Sequence, residues 1–415
     1  MAVAGSIRKS INKKDFLISL LCLTIFYSIQ IYSHWWTLAI TGIRGGYTLL
    51  DLKLVLKSFD CYQIVGDDVF ELATGDPCTG YLYGRNFLLL MTKMGLGEKH
   101  ATILGLLLIS LFLILAAAII AFPGSEKGSI VLGLLVFTSP SCWLLLERAN
   151  LDILIFILVV VGLVLLWYQQ PTPAALIFAA SALIKFYTLP LVFLAIPFYA
   201  KLRSRFIYMG FSFTLVLVVL TEIQKIPKFP GTWYVSFGNQ VVGHWWNLLI
   251  KIKNIDLPSV SMITSSLIGL ISVSIAMFLA HRFKGKEFSQ LGEDIITEIR
   301  NRNLTVYTYF FSTVVFLLCY FAGMNYDYRL FYIGIASVCA YKVFGLKYWP
   351  VKILLYCSIP SLWLSCFFYN LEGTPIAIIQ LVGDVLLGVC TSVSVLILGN
   401  LALFHLKKRK VGSYL

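Results

Sequence analysis

Charge is scarce in this sequence. Only 13% of its 415 residues are Asp, Glu, Lys or Arg, while 59% are apolar. Soluble domains carry about 25% charged and about 45–50% apolar residues. One water-facing core cannot hold such an excess, and mean hydropathy is +0.85, so lipid must solvate much of the chain. Soluble enzymes, disordered proteins and nucleic-acid binders are excluded on that ground. Histidine is also scarce: there are five, none at metal-ligand spacing, so no metal site and no cofactor is implied. No internal repeat is present, which argues against an inverted-repeat transporter. The apolar stretches do not alternate with polar residues, which argues against a β-barrel. No small-residue cleavage site follows the basic N-terminus. The run after it ends in Tyr32, Trp35 and Trp36 and reads as a first transmembrane helix rather than a signal peptide.

What remains is a polytopic all-α membrane protein, read as one integral membrane domain over residues 1–415. About 12 spans fit the hydropathy, at 15–33, 101–122, 129–146, 151–168, 172–185, 188–201, 205–222, 260–281, 304–322, 330–345, 351–369 and 376–405. The fifth and sixth are too short to cross alone at 1.5 Å per residue and suggest a hairpin turning at Lys185–Thr188. This count puts both termini on one face. That face collects 20 of the 33 Lys and Arg, including Arg8–Lys14, Arg282–Lys286 and Lys407–Lys410, and is therefore cytoplasmic. The other face receives two long segments, 34–100 and 223–259. The first contains short amphipathic helices around Leu50–Lys57 and Asn86–Met94. His34-Trp35-Trp36 and His244-Trp245-Trp246 read as an aromatic belt.

Every mixed polar cluster beside a span falls on the outer face. The first loop offers Asp51, Asp60, Asp67, Asp68, Asp76 and Arg85. Later come Glu147-Arg148-Ala149-Asn150-Leu151-Asp152, Lys185 with Tyr187, Ser236-Phe237-Gly238-Asn239-Gln240, and Asn325-Tyr326-Asp327-Tyr328-Arg329. Polar turns at a membrane surface need no further reason than water, and an ion-pair cluster fixing helix ends would explain Glu147, Arg148 and Asp152. Acids and bases together at helix ends are costly unless paired. Such a mixture suits a lipid substrate bearing phosphate. Arg and Lys stabilise its charge, a carboxylate takes a proton from an attacking hydroxyl, and amides hold sugar hydroxyls. Seven cysteines lie in apolar runs. Cys61 and Cys78 alone lie in a hydrophilic outer segment, where a disulfide would close about 18 residues and contribute about 3 kcal/mol. Asp384 is the one acid deep in a span, within reach of Thr391 or Ser392.

In the order of these motifs the chain resembles the GT-C glycosyltransferases. It is most similar to the branch holding polyprenyl-phosphate-mannose-dependent α-1,2-mannosyltransferases and uncharacterised bacterial relatives, over most of residues 40–345. The resemblance implies an inverting hexosyltransferase with a polyprenyl-phosphate sugar donor, a lipid or glycan acceptor and an aspartate base in the first outer loop. Asp51 matches that position, with Asp67 and Asp68 as rivals. Arg148, Lys185, Arg329 and Arg85 would bind the donor phosphate. Glu147, Asn150, Asp152, Tyr187, Asn239, Gln240, Asn325 and Asp327 would bind sugar or acceptor. Val241 stands where the family's Asn-Gln-Ser motif has Ser, and Ala149 where relatives often carry Gly. The implied setting is a bacterial cytoplasmic membrane with an extracytoplasmic site, or else the endoplasmic reticulum. A lipid-linked sugar flippase and a polysaccharide polymerase or ligase are the alternative classes.

The charge pattern predicts cytoplasmic termini, with 34–100 and 223–259 outside. Single-cysteine accessibility mapping should label these two segments from the outer face. Labelling of a cysteine placed among Lys407–Lys410 from that face would refute the topology.

Overall fold

The computed structural model describes residues 11–33, 48–66, 84–122, 128–194, 196, 202–223, 236–237, 262–321, 325–365 and 377–412. Their regular structure is helical apart from one two-residue ladder. The helices are α1 (Lys13–Ser33), α2 (Leu50–Val65), α3 (Arg85–Lys93), α4 (Ala101–Ile120), α5 (Ser129–Phe137), α6 (Pro140–Glu147), α7 (Asp152–Trp167) and α8 (Pro171–Ile184). They continue with α9 (Pro190–Leu194), α10 (Leu202–Ile223), α11 (Met262–Arg300), α12 (Leu304–Phe321), α13 (Phe331–Phe344), α14 (Trp349–Leu364) and α15 (Ala377–Gly412). Strand β1 (Ser236–Phe237) pairs antiparallel with β2 (Asn325–Tyr326).

Among the described residues, four helical stretches are long and apolar enough to cross a membrane: Lys13–Ser33, Glu98–Ile120, Leu304–Phe321 and Leu381–Leu401. A fifth counts if α5 and α6 are taken as one broken span. Further apolar helices, among them α7, α8 and α13, are shorter than a full crossing. The α1 helix shows how lipid inverts the usual pattern. Its buried stripe is Ser19, Leu23, Tyr27 and Gln30, while Leu17, Leu21, Ile25 and Ile29 are exposed. Apolar side chains cost nothing facing acyl chains, and polar ones turn away from them.

Three departures from the sequence reading have physical causes. The span expected over 129–146 is bent by 47° between α5 and α6. Pro140 opens α6 and lacks the N–H that would continue α5, while the Ser139 hydroxyl donates back to the Val136 carbonyl at 2.7 Å. The expected cytoplasmic loop 282–303 is helical as far as Arg300. Charges at Arg282, Lys286 and Glu287 end the hydropathy, but Phe288, Leu291 and Ile295 form a buried stripe at helical spacing. Likewise α15 runs on through the basic tail to Gly412. At the proposed hairpin, α8 ends at Ile184 and Lys185 is extended (φ −138°, ψ 117°). A 3₁₀ turn, Phe186–Thr188, precedes α9. With 14 residues α8 spans about 21 Å, short of a hydrocarbon core of about 30 Å.

The chain divides into two compact units. One comprises Met1–Arg44, Ala117–Trp143 and Gly231–Leu415; the other comprises Gly45–Ala116 and Leu144–Pro230. In the first, α13 is central. A Cβ on Gly334 would come within 2.6 Å of Leu362 and 2.8 Å of Val136, so α13 lies close against α14 and α5 there. Ser337 and Ser358 share a hydrogen bond of 2.7 Å between α13 and α14. Asp384 lies beside Tyr320, while the Thr391 and Ser392 hydroxyls bond carbonyls of their own helix. The ladder also joins two sequence motifs, since Phe237 pairs with Asn325 and Ser236 with Tyr326.

Lys342 of α13 is buried. Its ammonium donates to the carbonyls of Ile119 (3.2 Å), Phe122 (2.9 Å) and Ile120. The Asn12 N–H donates to the next carbonyl, Ala121, at 3.2 Å. These donors satisfy carbonyls that the end of a helix leaves without intrahelical partners. Lys342→Met removes three donors from buried acceptors at once. It should cost about 1–3 kcal/mol and lower the Tm of the purified protein in detergent; an unchanged Tm would refute the capping role.

Candidate functional site

The second unit contains the polar residues that the sequence singled out before Tyr187. Its key junction is a turn between α6 and α7. The Ala149 N–H bonds the Leu146 carbonyl at 3.0 Å and the Asn150 N–H bonds that of Leu145 at 3.1 Å. This pair of bonds closes a helix C-terminus in the Schellman manner, which requires a left-handed residue. Ala149 is that residue, at φ 45°. Glycine takes this conformation without steric cost, and a side chain pays roughly 1–2 kcal/mol for it.

The same turn receives the start of α2. No side chain caps α2 at Leu49. Instead the Leu49 N–H donates to the Glu147 carbonyl (2.7 Å), and the Asp51 and Leu52 N–H groups donate to the Arg148 carbonyl (3.1 and 3.4 Å). Leu49 is itself left-handed, at φ 60°. Two strained residues thus flank one backbone contact between segments about a hundred positions apart.

Side chains extend that contact into a continuous chain. Arg148 Nε lies 3.0 Å from Asp51 Oδ1. Asn150 Nδ2 donates to Asp51 Oδ2. Asn150 Oδ1 accepts from Lys185 Nζ at 3.0 Å and from the Asp152 N–H at 2.9 Å. Lys185 Nζ lies 2.8 Å from Asp152 Oδ2, and the Tyr187 hydroxyl donates to Asp152 Oδ1 at 2.6 Å. Exposure rises along it: Asp152 is 0% exposed and Lys185 7%, whereas Asp51 is 13% and Arg148 23% exposed. The open end therefore presents a carboxylate beside a guanidinium, and the buried end is a locked Lys–Asp–Tyr group. Lys185 reaches it because α8 ends one residue earlier and its extended backbone turns the side chain out of the helical row.

Arg85 opens α3, whose approach to the tip of α8 is close. A Cβ on Gly84 would fall 2.1 Å from the Leu183 carbonyl oxygen. Phe59 of α2 packs edge-on against Phe87 of α3, with ring centres 5.8 Å apart. Glu147 is buried at the end of α6. Asp60 supports the fold. Its Oδ2 accepts the Glu98 N–H at 2.8 Å, capping the turn that leads into α4.

Asp51, Arg148, Asn150, Asp152, Lys185 and Tyr187 are thus brought together. Arg329 belongs to the other unit, in the 3₁₀ turn Asp327–Leu330, and Asn325 enters its ladder. Asp67, Asp68, Asn239 and Gln240 lie outside the described residues. Cys61 is disulfide-bonded, and Cys78 also lies outside them. Among the described residues, no three His, Cys, Asp or Glu gather where they could hold a metal ion. Sequence reasoning missed the capping by Asp60 and the bridging by Asn150. The first had a signal in Gly97-Glu98, a sharp turn before an apolar run; the second had none.

Hydropathy and long apolar helices define an integral membrane protein. The chain belongs to glycosyltransferase family 87, whose family model matches residues 81–291. It is a membrane glycosyltransferase. No curated protein and no solved structure matches it.

Gly84→Ala forces a methyl group into the Leu183 carbonyl. Overpacking of this kind costs about 1–3 kcal/mol, so the variant should lose Tm and should loosen α3, read as faster hydrogen exchange over 85–93. Wild-type Tm and exchange would show that the close approach is not required.

Proposed function

We propose that the protein transfers a hexose, such as mannose, from a polyprenyl-phosphate donor to a lipid- or glycan-linked acceptor at the extracytoplasmic membrane face. The observation that carries this reading is a partly exposed carboxylate, Asp51, held 3.0 Å from Arg148 and backed by buried Lys185, in a chain of a glycosyltransferase family. The bias of Lys and Arg toward the opposite face supports an outer site, in keeping with a bacterial cytoplasmic membrane.

Asp51 takes the proton of the acceptor hydroxyl. The oxygen then attacks the anomeric carbon, the bond from that carbon to the phosphate oxygen breaks, and polyprenyl phosphate leaves with inversion of the anomeric centre. The carboxylate can accept about four hydrogen bonds, so pairing with Arg148 and Asn150 leaves room for a hydroxyl. Arg148 and Lys185, joined by Arg85, stabilise the departing phosphate. Glu147 supplies a sugar or acceptor contact, and Asp152 and Tyr187 act by fixing Lys185. A bridge from Cys61 to Cys78 tethers the loop carrying Asp67 and Asp68.

General-base assistance is worth about 10²–10⁴-fold. Asp51→Asn should lower kcat with polyprenyl-phosphate hexose by about that factor and leave donor binding nearly unchanged. Arg148→Ala should raise donor KM as well as lower kcat, because phosphate charge is present in both ground and transition states. If Asp51→Asn is active while Asp67→Asn or Asp68→Asn is dead, the base lies elsewhere in the loop. If all three are active, the carboxylate-base mechanism is wrong and lipid-linked sugar transport becomes the better reading.

A further inference from the structure

We propose that Asn150 is a positioning residue rather than a sugar ligand: its amide ties the Asp51 carboxylate to the buried Lys185–Asp152 pair and so fixes which lone pairs of Asp51 meet the acceptor hydroxyl. The proposal rests on reading Asp51 as the base. Asn150 is buried, and its oxygen already accepts from two groups that can only donate, the Lys185 ammonium and the Asp152 N–H. The amide therefore cannot be flipped, and its NH₂ must point to Asp51 Oδ2, where the hydrogen bond lies. Arg148 Nε faces the other oxygen as an ion pair at 3.0 Å without hydrogen-bond alignment, so Asn150 makes the directional contact to the carboxylate, and the Arg148 carbonyl accepts the Asp51 N–H. Carboxylate rotation about its last torsion is soft in isolation. Here one turn grips both oxygens and the backbone of the same residue, and Asn150 links that grip to the fully buried Asp152.

Asn150→Asp separates this role from others. The new carboxylate still accepts from Lys185 and from the Asp152 N–H, so the cap on α7 is kept, but no donor remains for Asp51. In reconstituted full-length protein, kcat should fall about 10–100-fold, the scale of an ångström's misplacement of a reacting group, with donor and acceptor KM changed less than about twofold. Its Tm should also fall. In the Asp51→Asn/Asn150→Asp double variant, the amide and carboxylate exchange places and the hydrogen bond re-forms in reverse. Tm should recover toward wild type while kcat stays at the level of Asp51→Asn alone. If Asn150→Asp yields no folded protein, Asn150→Ser retains a cap for the Asp152 N–H without reach to Asp51 and should show the same loss of kcat. A raised acceptor KM with kcat preserved would make Asn150 a sugar ligand and overturn the proposal. Additive Tm losses in the double variant would deny the contact and overturn it too. Recovery of Tm with full activity in Asp51→Asn would instead leave the contact standing and remove the base, so the two readings fail separately.

Discussion

Two backbone carbonyls, those of Glu147 and Arg148, hold the site-bearing unit together. They accept the N–H groups of Leu49, Asp51 and Leu52, which the start of a helix leaves without partners. A buried amide left without a partner costs about 1–3 kcal/mol. The contact is worth enough to sustain left-handed backbone at both Leu49 and Ala149. Without it, Asp51 would sit at a frayed helix end, and neither Arg148 nor Asn150 would have a fixed target. The electrostatics of the site are thus set first by main chain and only then by side chains.

The order of burial follows from that arrangement. Asp152 and Lys185 neutralise each other at the buried end, and the Tyr187 hydroxyl satisfies the second oxygen. An ion pair so placed contributes little net stability, since desolvation offsets much of the attraction. What it supplies is a fixed anchor. The partly exposed Asp51–Arg148 pair is the end that can exchange partners with a substrate.

Hydropathy made the membrane class and most helix positions legible, because the lipid-facing residues of α1 and α4 need no partner and carry the signal alone. It failed where charge and helix coexist. Phe288, Leu291 and Ile295 continue α11 on one face while charged neighbours mask the period. It also failed at Thr138-Ser139-Pro140, where an unbroken apolar run hid a bend. For the site, the sequence indicated which polar clusters matter, because mixed charge at helix ends is expensive. It could not indicate their pairing. Nothing local to Asn150 shows that its amide faces a carboxylate 99 residues away, and amides beside acids read equally well as sugar ligands.

The length of α11 has a practical side. Its 39 residues extend about 58 Å, far more than a bilayer's hydrocarbon core requires. After Arg300 only Asn301, Arg302 and Asn303 precede α12, and Arg302 makes the tight turn at φ 57°. A small soluble partner spliced into those three positions with continuous helices on either side would be held at two points. It would serve as a rigid orientation marker for imaging.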